Sequence, residues 1–97
     1  MPLHPLHDLR QQINALDDAV LALLGKRYAL LAEVVNVKVA NGLPSPDPAR
    51  VAEVIDRNVL TGALHGLPED MVRRIWEAII DAAHDYEIPR MEARQKK

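Results

Sequence analysis

Residues 6–40 read LHDLRQQINALDDAVLALLGKRYALLAEVVNVKVA, and the reading of this stretch decides the fold. Leu6, Leu9, Ile13, Leu16, Val20 and Leu23 recur at steps of three and four, and Leu30, Val34 and Val37 continue the row. That spacing is one face of an amphipathic α-helix. Arg27 occupies the step between Leu23 and Leu30, in the seam itself, and Lys38 follows eleven residues later. Eleven residues are just over three turns, so both cations share a face with Leu30, Leu31, Val34 and Val35. Neither has an acidic residue three or four positions away on its own helix. Burying an unpaired charge is very costly, so each cation needs a partner from elsewhere.

A helix over about residues 6–40 is roughly 50 Å long at 1.5 Å per residue. A compact chain of this size has a radius of gyration of only about 12–13 Å. The helix is therefore expected to project beyond its own subunit, and a second copy of the chain is the simplest cover for its seam. The 97 residues suffice for a single domain over 1–97, with a core over about 6–88 and a flexible tail over 89–97. A subunit this small is marginal alone, and oligomerisation is a usual remedy.

Outward from that helix, Asn41-Gly42 is a stop signal, and Pro44, Pro46 and Pro48 keep the next segment non-helical. Asp47 is a good N-cap and Pro48 a good first residue for a second helix, whose stripe is Val51, Val54, Ile55 and Val59. Gly62 or Gly66 ends it. A third helix starts at Pro68, with Glu69 and Asp70 at the positive end of its dipole. Its stripe is Val72, Ile75, Trp76, Ile79, Ile80 and Ala83, and Glu87 continues that buried row. Pro89 is expected to kink or end the helix, leaving RMEARQKK frayed or solvated. No strand-like alternation or internal repeat is present, so the fold class is all-α with three helices.

Twelve Lys and Arg against fourteen Asp and Glu give no field that favours nucleic acid or an anionic membrane. Aromatic residues are too few for base stacking. The absence of cysteine excludes disulfides, thiolate metal sites and thiol catalysis, and suits a cytoplasmic location. MPLHPLHDLR has neither the basic nor the apolar region of a signal peptide. The uncharged run Ala19 to Gly25 is far too short to span a bilayer. His4-x-x-His7 sits at the N-terminus without further clustered ligands, His65 borders a turn and His84 stands alone, so no metal is expected. There is no phosphate-type glycine loop and no nucleophile triad. Trp76, Tyr28 and Tyr86 read as core residues.

Most other charges read as solvated helix faces. Arg73 has Glu69 four before it and Glu77 four after, and Arg57 has Glu53 four before. Arg27 and Lys38, with Glu87 on a second buried stripe, read instead as a polar pocket between helices. Arg grips carboxylates bidentately and Lys supplies a point charge, so Arg27, Lys38 and Arg50 point to a small dicarboxylate. Arg10 lies seventeen residues before Arg27, about 25 Å along the helix, too far for one small ligand to touch both in one chain. In an antiparallel dimer, Arg10 of one copy would approach Arg27 of the other.

LRQQINALDDAVLALLGKR, then Lys38, then the proline-rich loop with Asp47 and Arg50, and finally IIDAAHDYE, resemble the all-helical chorismate mutases over roughly residues 6–88. Isochorismate pyruvate lyases and aminodeoxychorismate mutases share that fold. The resemblance implies an intertwined homodimer with two sites and no cofactor, converting chorismate to prephenate. It implies that Arg10 reaches the neighbouring copy's site and grips one carboxylate, and that Arg27 grips the other. Lys38 would contact the ether oxygen and a carboxylate. Asp47 would help hold the ring hydroxyl, largely through backbone, and Arg50 would support the polar network. A synthase of the aromatic pathway is a partner for some small mutases of this type.

Three positions depart from the mutase pattern. Many mutases carry a glutamine where this chain has Glu87, donating to the ether oxygen; an ionised carboxylate only accepts. Glu87 must therefore be protonated, and activity is expected to fall as pH rises through its titration. Val51 replaces a glutamate that binds the ring hydroxyl, and there the chain is more like the lyases. Ala83 replaces a serine near a carboxylate in some mutases. The alternatives are thus an isochorismate pyruvate lyase, an aminodeoxychorismate mutase, or a non-catalytic helical dimerisation module.

Overall fold

A computed structural model of the chain describes residues 2–95. The described residues form three helices and no strand: α1 His7–Asn41, α2 Pro48–Leu64 and α3 Glu69–Gln95. The chain divides into two compact units, one through Leu30 and one from Leu31 onward. Among the described residues, no helix is long and apolar enough to cross a membrane.

The first unit is the N-terminal segment and most of α1. A hydrogen bond from the Leu6 amide to His4 Nδ1 (3.1 Å) and one from the His7 amide to the His4 carbonyl (2.9 Å) lead into the helix. His4 is thereby a turn residue, and the described residues contain no group of three or more His, Cys, Asp or Glu that could hold a metal ion. The apolar row read from the sequence lies on the surface here: Leu9, Ile13, Leu16, Val20 and Leu23 are each more than half exposed. Leu24, Arg27 and Tyr28 are half-buried.

The second unit holds the end of α1 with α2 and α3. In this part of α1 the buried residue is Val35, at 0% exposure, flanked by half-buried Leu31, Ala32, Lys38 and Val39. Val34 and Val37, members of the other row, are exposed. So the apolar residues of α1 fall on more than one side, and Val35 marks the side that is buried in this part of the helix.

α2 begins as its sequence dictates. Asp47 sits in extended backbone, and its Oδ1 accepts from the Ala49 and Arg50 amides at 3.2 and 3.3 Å, with Pro48 as the first helical residue. This satisfies donors that would otherwise be orphaned at the helix start. The helix closes at His65, and Gly66 takes the left-handed conformation (φ 75°) that side chains disfavour. Gly62 has a different task inside α2. It is buried where α2 meets α3, and a Cβ there would lie 2.6 Å from Val72 Cγ2. Only a hydrogen side chain permits that approach.

α3 buries Val72, Ile80, Ala83, Glu87 and Met91, steps of three, four and eight along one face. Ile75, assigned to that stripe from its spacing, is 43% exposed. Pro89 does not end the helix, which runs on to Gln95. The buried Met91, four residues after Glu87, continues the packed face and offsets the missing proline amide. The frayed tail read from the sequence is thus helical as far as Gln95, and Lys96 and Lys97 lie outside the described residues. One ion pair joins α2 to α3, Arg73 Nη2 to Asp56 Oδ1 at 3.8 Å.

Candidate functional site

In the second unit, three polar side chains from three different segments converge. Glu87 comes from the buried face of α3, and its side chain is 4% exposed. Lys38 comes from the last turn of α1, and its Nζ lies 3.8 Å from Glu87 Oε2. That separation is an ion pair without a direct hydrogen bond. Ser45, from the loop between α1 and α2, donates from Oγ to the same Oε2 at 3.2 Å. A buried carboxylate left alone would be strongly destabilising, and Lys38 and Ser45 together relieve that cost. The group presents a cation beside a carboxyl that accepts when ionised and donates when protonated.

Two of the three, Lys38 and Glu87, are residues that the sequence singles out, and the structure brings them together. Ser45 is not singled out. It stands between two prolines, 42 residues from Glu87, and no spacing rule links them. Arg90, three residues after Glu87, is turned elsewhere: it donates to the Tyr86 carbonyl at 2.8 Å, with its guanidinium 3.7 Å over the Tyr86 ring.

Arg27 belongs to the first unit. Its Nη1 is buried and has no hydrogen-bond partner among the described residues. Buried polar atoms are nearly always satisfied, so this nitrogen calls for an acceptor from outside them. Arg10 is exposed on the same unit.

The remaining expected site residues have other occupations. Asp47 uses its carboxylate to cap α2. Arg50 does not join the polar group of Lys38 and Glu87. Its Nη1 pairs with Glu53 Oε1 at 2.6 Å, both side chains being mostly exposed. The first turn of α2 places those two residues i to i+3, within easy reach. This also corrects the pairing of Glu53 with Arg57. Arg73 pairs with Glu69 at 3.4 Å as its spacing implied. Ala83 is core, 5% exposed. Val51 is half-buried and lines a groove of about 500 Å³ on the α2–α3 face, with Pro48, Ile55, Ile80 and His84. A valine there offers nothing to a hydroxyl group.

Comparison with known proteins bears on the chain as a whole. The family model described as chorismate mutase type II matches residues 9–88. The bifunctional chorismate mutase/prephenate dehydratase of Escherichia coli (strain K12) is 35% identical over 78 residues, which are 80% of this chain and 20% of that protein. A 4-amino-4-deoxychorismate mutase of Streptomyces venezuelae is 33% identical over 75 residues, 77% of this chain and 73% of that one. A chorismate mutase of Methanocaldococcus jannaschii is 27% identical over 79 residues, 81% and 80% of the two chains. The chain spans only about one fifth of the length of the bifunctional relatives it matches. With its all-helical architecture and a match that runs from Leu9 to Ile88, the chain belongs to the chorismate mutase type II family.

Proposed function

We propose that this chain is an isomerase that rearranges chorismate to prephenate in aromatic biosynthesis, acting as a cytoplasmic homodimer. The observation that carries the reading is Arg27 Nη1, a buried cationic donor with no acceptor among the described residues. A substrate carboxylate is the kind of group that completes it. The family match and the buried Lys38–Glu87 pair support the same reading.

The rearrangement is unimolecular and pericyclic. A C–C bond forms as the ether C–O bond breaks, and neither a nucleophile nor a redox step is required. The catalyst's tasks are to hold the enolpyruvyl side chain over the ring and to stabilise negative charge growing on the ether oxygen. Arg27 and Arg10, the latter from the neighbouring copy, hold the two carboxylates. Lys38 faces the ether oxygen, and protonated Glu87 donates to it. The Asp47 backbone meets the ring hydroxyl, with Arg50 at the edge of the site. Each charge-assisted contact contributes about 1.5–3 kcal/mol, and these do not simply add. The exposed apolar row of α1 supports the dimer, because a second copy supplies a matching row.

Val51 and Ala83 favour a second reading, in which the substrate is isochorismate or 4-amino-4-deoxychorismate. The groove at Val51 has no carboxylate on that residue for a ring hydroxyl, and the Streptomyces relative is a 4-amino-4-deoxychorismate mutase. The test is NMR product analysis with each of the three substrates, across acid to neutral pH. Prephenate from chorismate, at a rate that falls with rising pH in the wild type but not in Glu87→Gln, is the expected result. Salicylate and pyruvate from isochorismate, with chorismate untouched, would make the chain a lyase. Turnover of the amino analogue alone would make it the corresponding mutase. No product from any of them would leave a helical dimerisation module.

A further inference from the structure

We propose that Ser45 is a positioning residue that fixes which oxygen of the Glu87 carboxyl carries the proton. The proposal rests on the reading above, in which protonated Glu87 donates to the substrate. Among the described residues, the Ser45 hydroxyl donates to Oε2 at 3.2 Å and the Lys38 ammonium lies 3.8 Å from the same oxygen. A carboxylic acid has one acceptor-type carbonyl oxygen and one O–H. One hydrogen-bond donor and one nearby cation at Oε2 make it the carbonyl oxygen of the acid, which places the proton on Oε1. The last torsion of glutamate is broad and nearly two-fold, so nothing in the side chain itself chooses between the oxygens. In a buried site the hydrogen-bond partners make that choice.

The loop holds Ser45 at this point from both ends. At one end the Leu43 amide donates to the Lys38 carbonyl at 2.9 Å, so the residue that supplies the cation also anchors the loop. At the other end Asp47 caps α2. Competing charges are engaged or absent from Oε2. Arg90 of α3 is held by Tyr86, Arg50 of α2 by Glu53, and His84 of α3 lines the separate groove at Val51. Lys38 from α1 is the one ionisable group paired with Glu87 among the described residues.

The test compares Ser45→Ala and Ser45→Thr, each alone and combined with Glu87→Gln, in full-length protein. Turnover of the accepted substrate is followed against pH, with kcat and KM separated. Carboxyl-carbon NMR of glutamate-labelled protein without ligand reads Glu87 directly, its resonance being the one lost in Glu87→Gln. Removal of the hydroxyl is expected to lower kcat about tenfold at low pH, with little change in KM. It should also displace both the pH dependence of kcat and the course of the Glu87 carboxyl resonance from those of the wild type, because the hydroxyl that contacts Oε2 is gone. Ser45→Thr should restore both. In the Glu87→Gln background the pH profile should stay flat with or without Ser45. A role confined to loop stability would lower activity equally at every pH and leave the NMR titration in place. A Glu87 titration in Ser45→Ala that coincides with wild type overturns the hold on Oε2 even where turnover is normal. Absence of turnover in the wild type defeats the functional reading and the substrate-facing half of this proposal with it.

Discussion

Replacing Gly62 by alanine tests the packing that joins α2 to α3. Two effects oppose one another. Alanine in a helix interior is more favourable than glycine by about 0.8–1 kcal/mol. Against this, the new methyl would lie 2.6 Å from Val72 Cγ2, closer than carbon atoms tolerate. Val72 is β-branched, stiff at χ1 and only 2% exposed, so it has little room to yield. Overpacking of a tight core costs about 1–3 kcal/mol, and the rigidity of Val72 puts this site in the upper half of that range. The net destabilisation is therefore about 1–2 kcal/mol, a fall in Tm of roughly 4–16 °C for a domain of this size. Thermal unfolding at fixed protein concentration measures it, the fixed concentration being needed if copies associate. The double variant Gly62→Ala/Val72→Ala sharpens the test. Each change alone destabilises, but the second makes space for the first, so the pair should be less damaging than the sum by about 0.5–3 kcal/mol. A Gly62→Ala protein as stable as wild type or more so, with strictly additive double-variant energies, would refute the reasoning.

Asp47→Ala removes the cap of α2 and should cost about 1 kcal/mol in chemical unfolding, while Asp47→Asn should retain most of the stability. Pro89→Ala restores a backbone donor inside α3 and should raise stability by up to about 3 kcal/mol; a lower unfolding midpoint would contradict the continuous helix. Lys38→Ala should lower kcat/KM by about a hundredfold or more in a steady-state assay, and should also destabilise by stranding the Glu87 carboxylate. Adding Glu87→Gln to Lys38→Ala should return stability without returning activity, and a double variant no more stable than the single one would remove Lys38 from the role of Glu87's partner.

The parts of the fold that local rules govern were legible in the sequence. The start of α2 follows from Asp47-Pro48, its end was narrowed to Gly62 or Gly66, and the burial of Glu87 follows from its place seven residues after Ile80. The length of α1 followed from an unbroken period of three and four. What required the third dimension was choice among partners. The period of α1 does not say that Val35 rather than Val34 is covered, because both rows are apolar. The pull of Pro89 against a helix was legible, but the counterweight of buried Met91 was not. Glu53 has arginines at both helical spacings, and sequence alone does not decide between Arg50 and Arg57. At the site, the charges were recognisable by their apolar neighbours. Ser45 is neutral, common in loops, and distinguished only by the carboxyl group it meets.

The convergence of Lys38 and Ser45 on Glu87 also has a kinetic side. α2 and α3 are neighbours in sequence, joined by the short turn His65–Pro68, so their pairing closes a small loop and belongs to the fast class of contacts. The Ser45–Glu87 contact spans 42 residues, and the one from Lys38 is longer still. Contacts of that range are expected to form after the local hairpin, on the native side of the folding barrier. Changes to them are expected to leave the refolding rate nearly untouched and to accelerate unfolding. On that expectation the polar group would act as a latch on the lifetime of the native state, and a ligand that engages it should slow the chain's departure from that state more than it hastens its arrival.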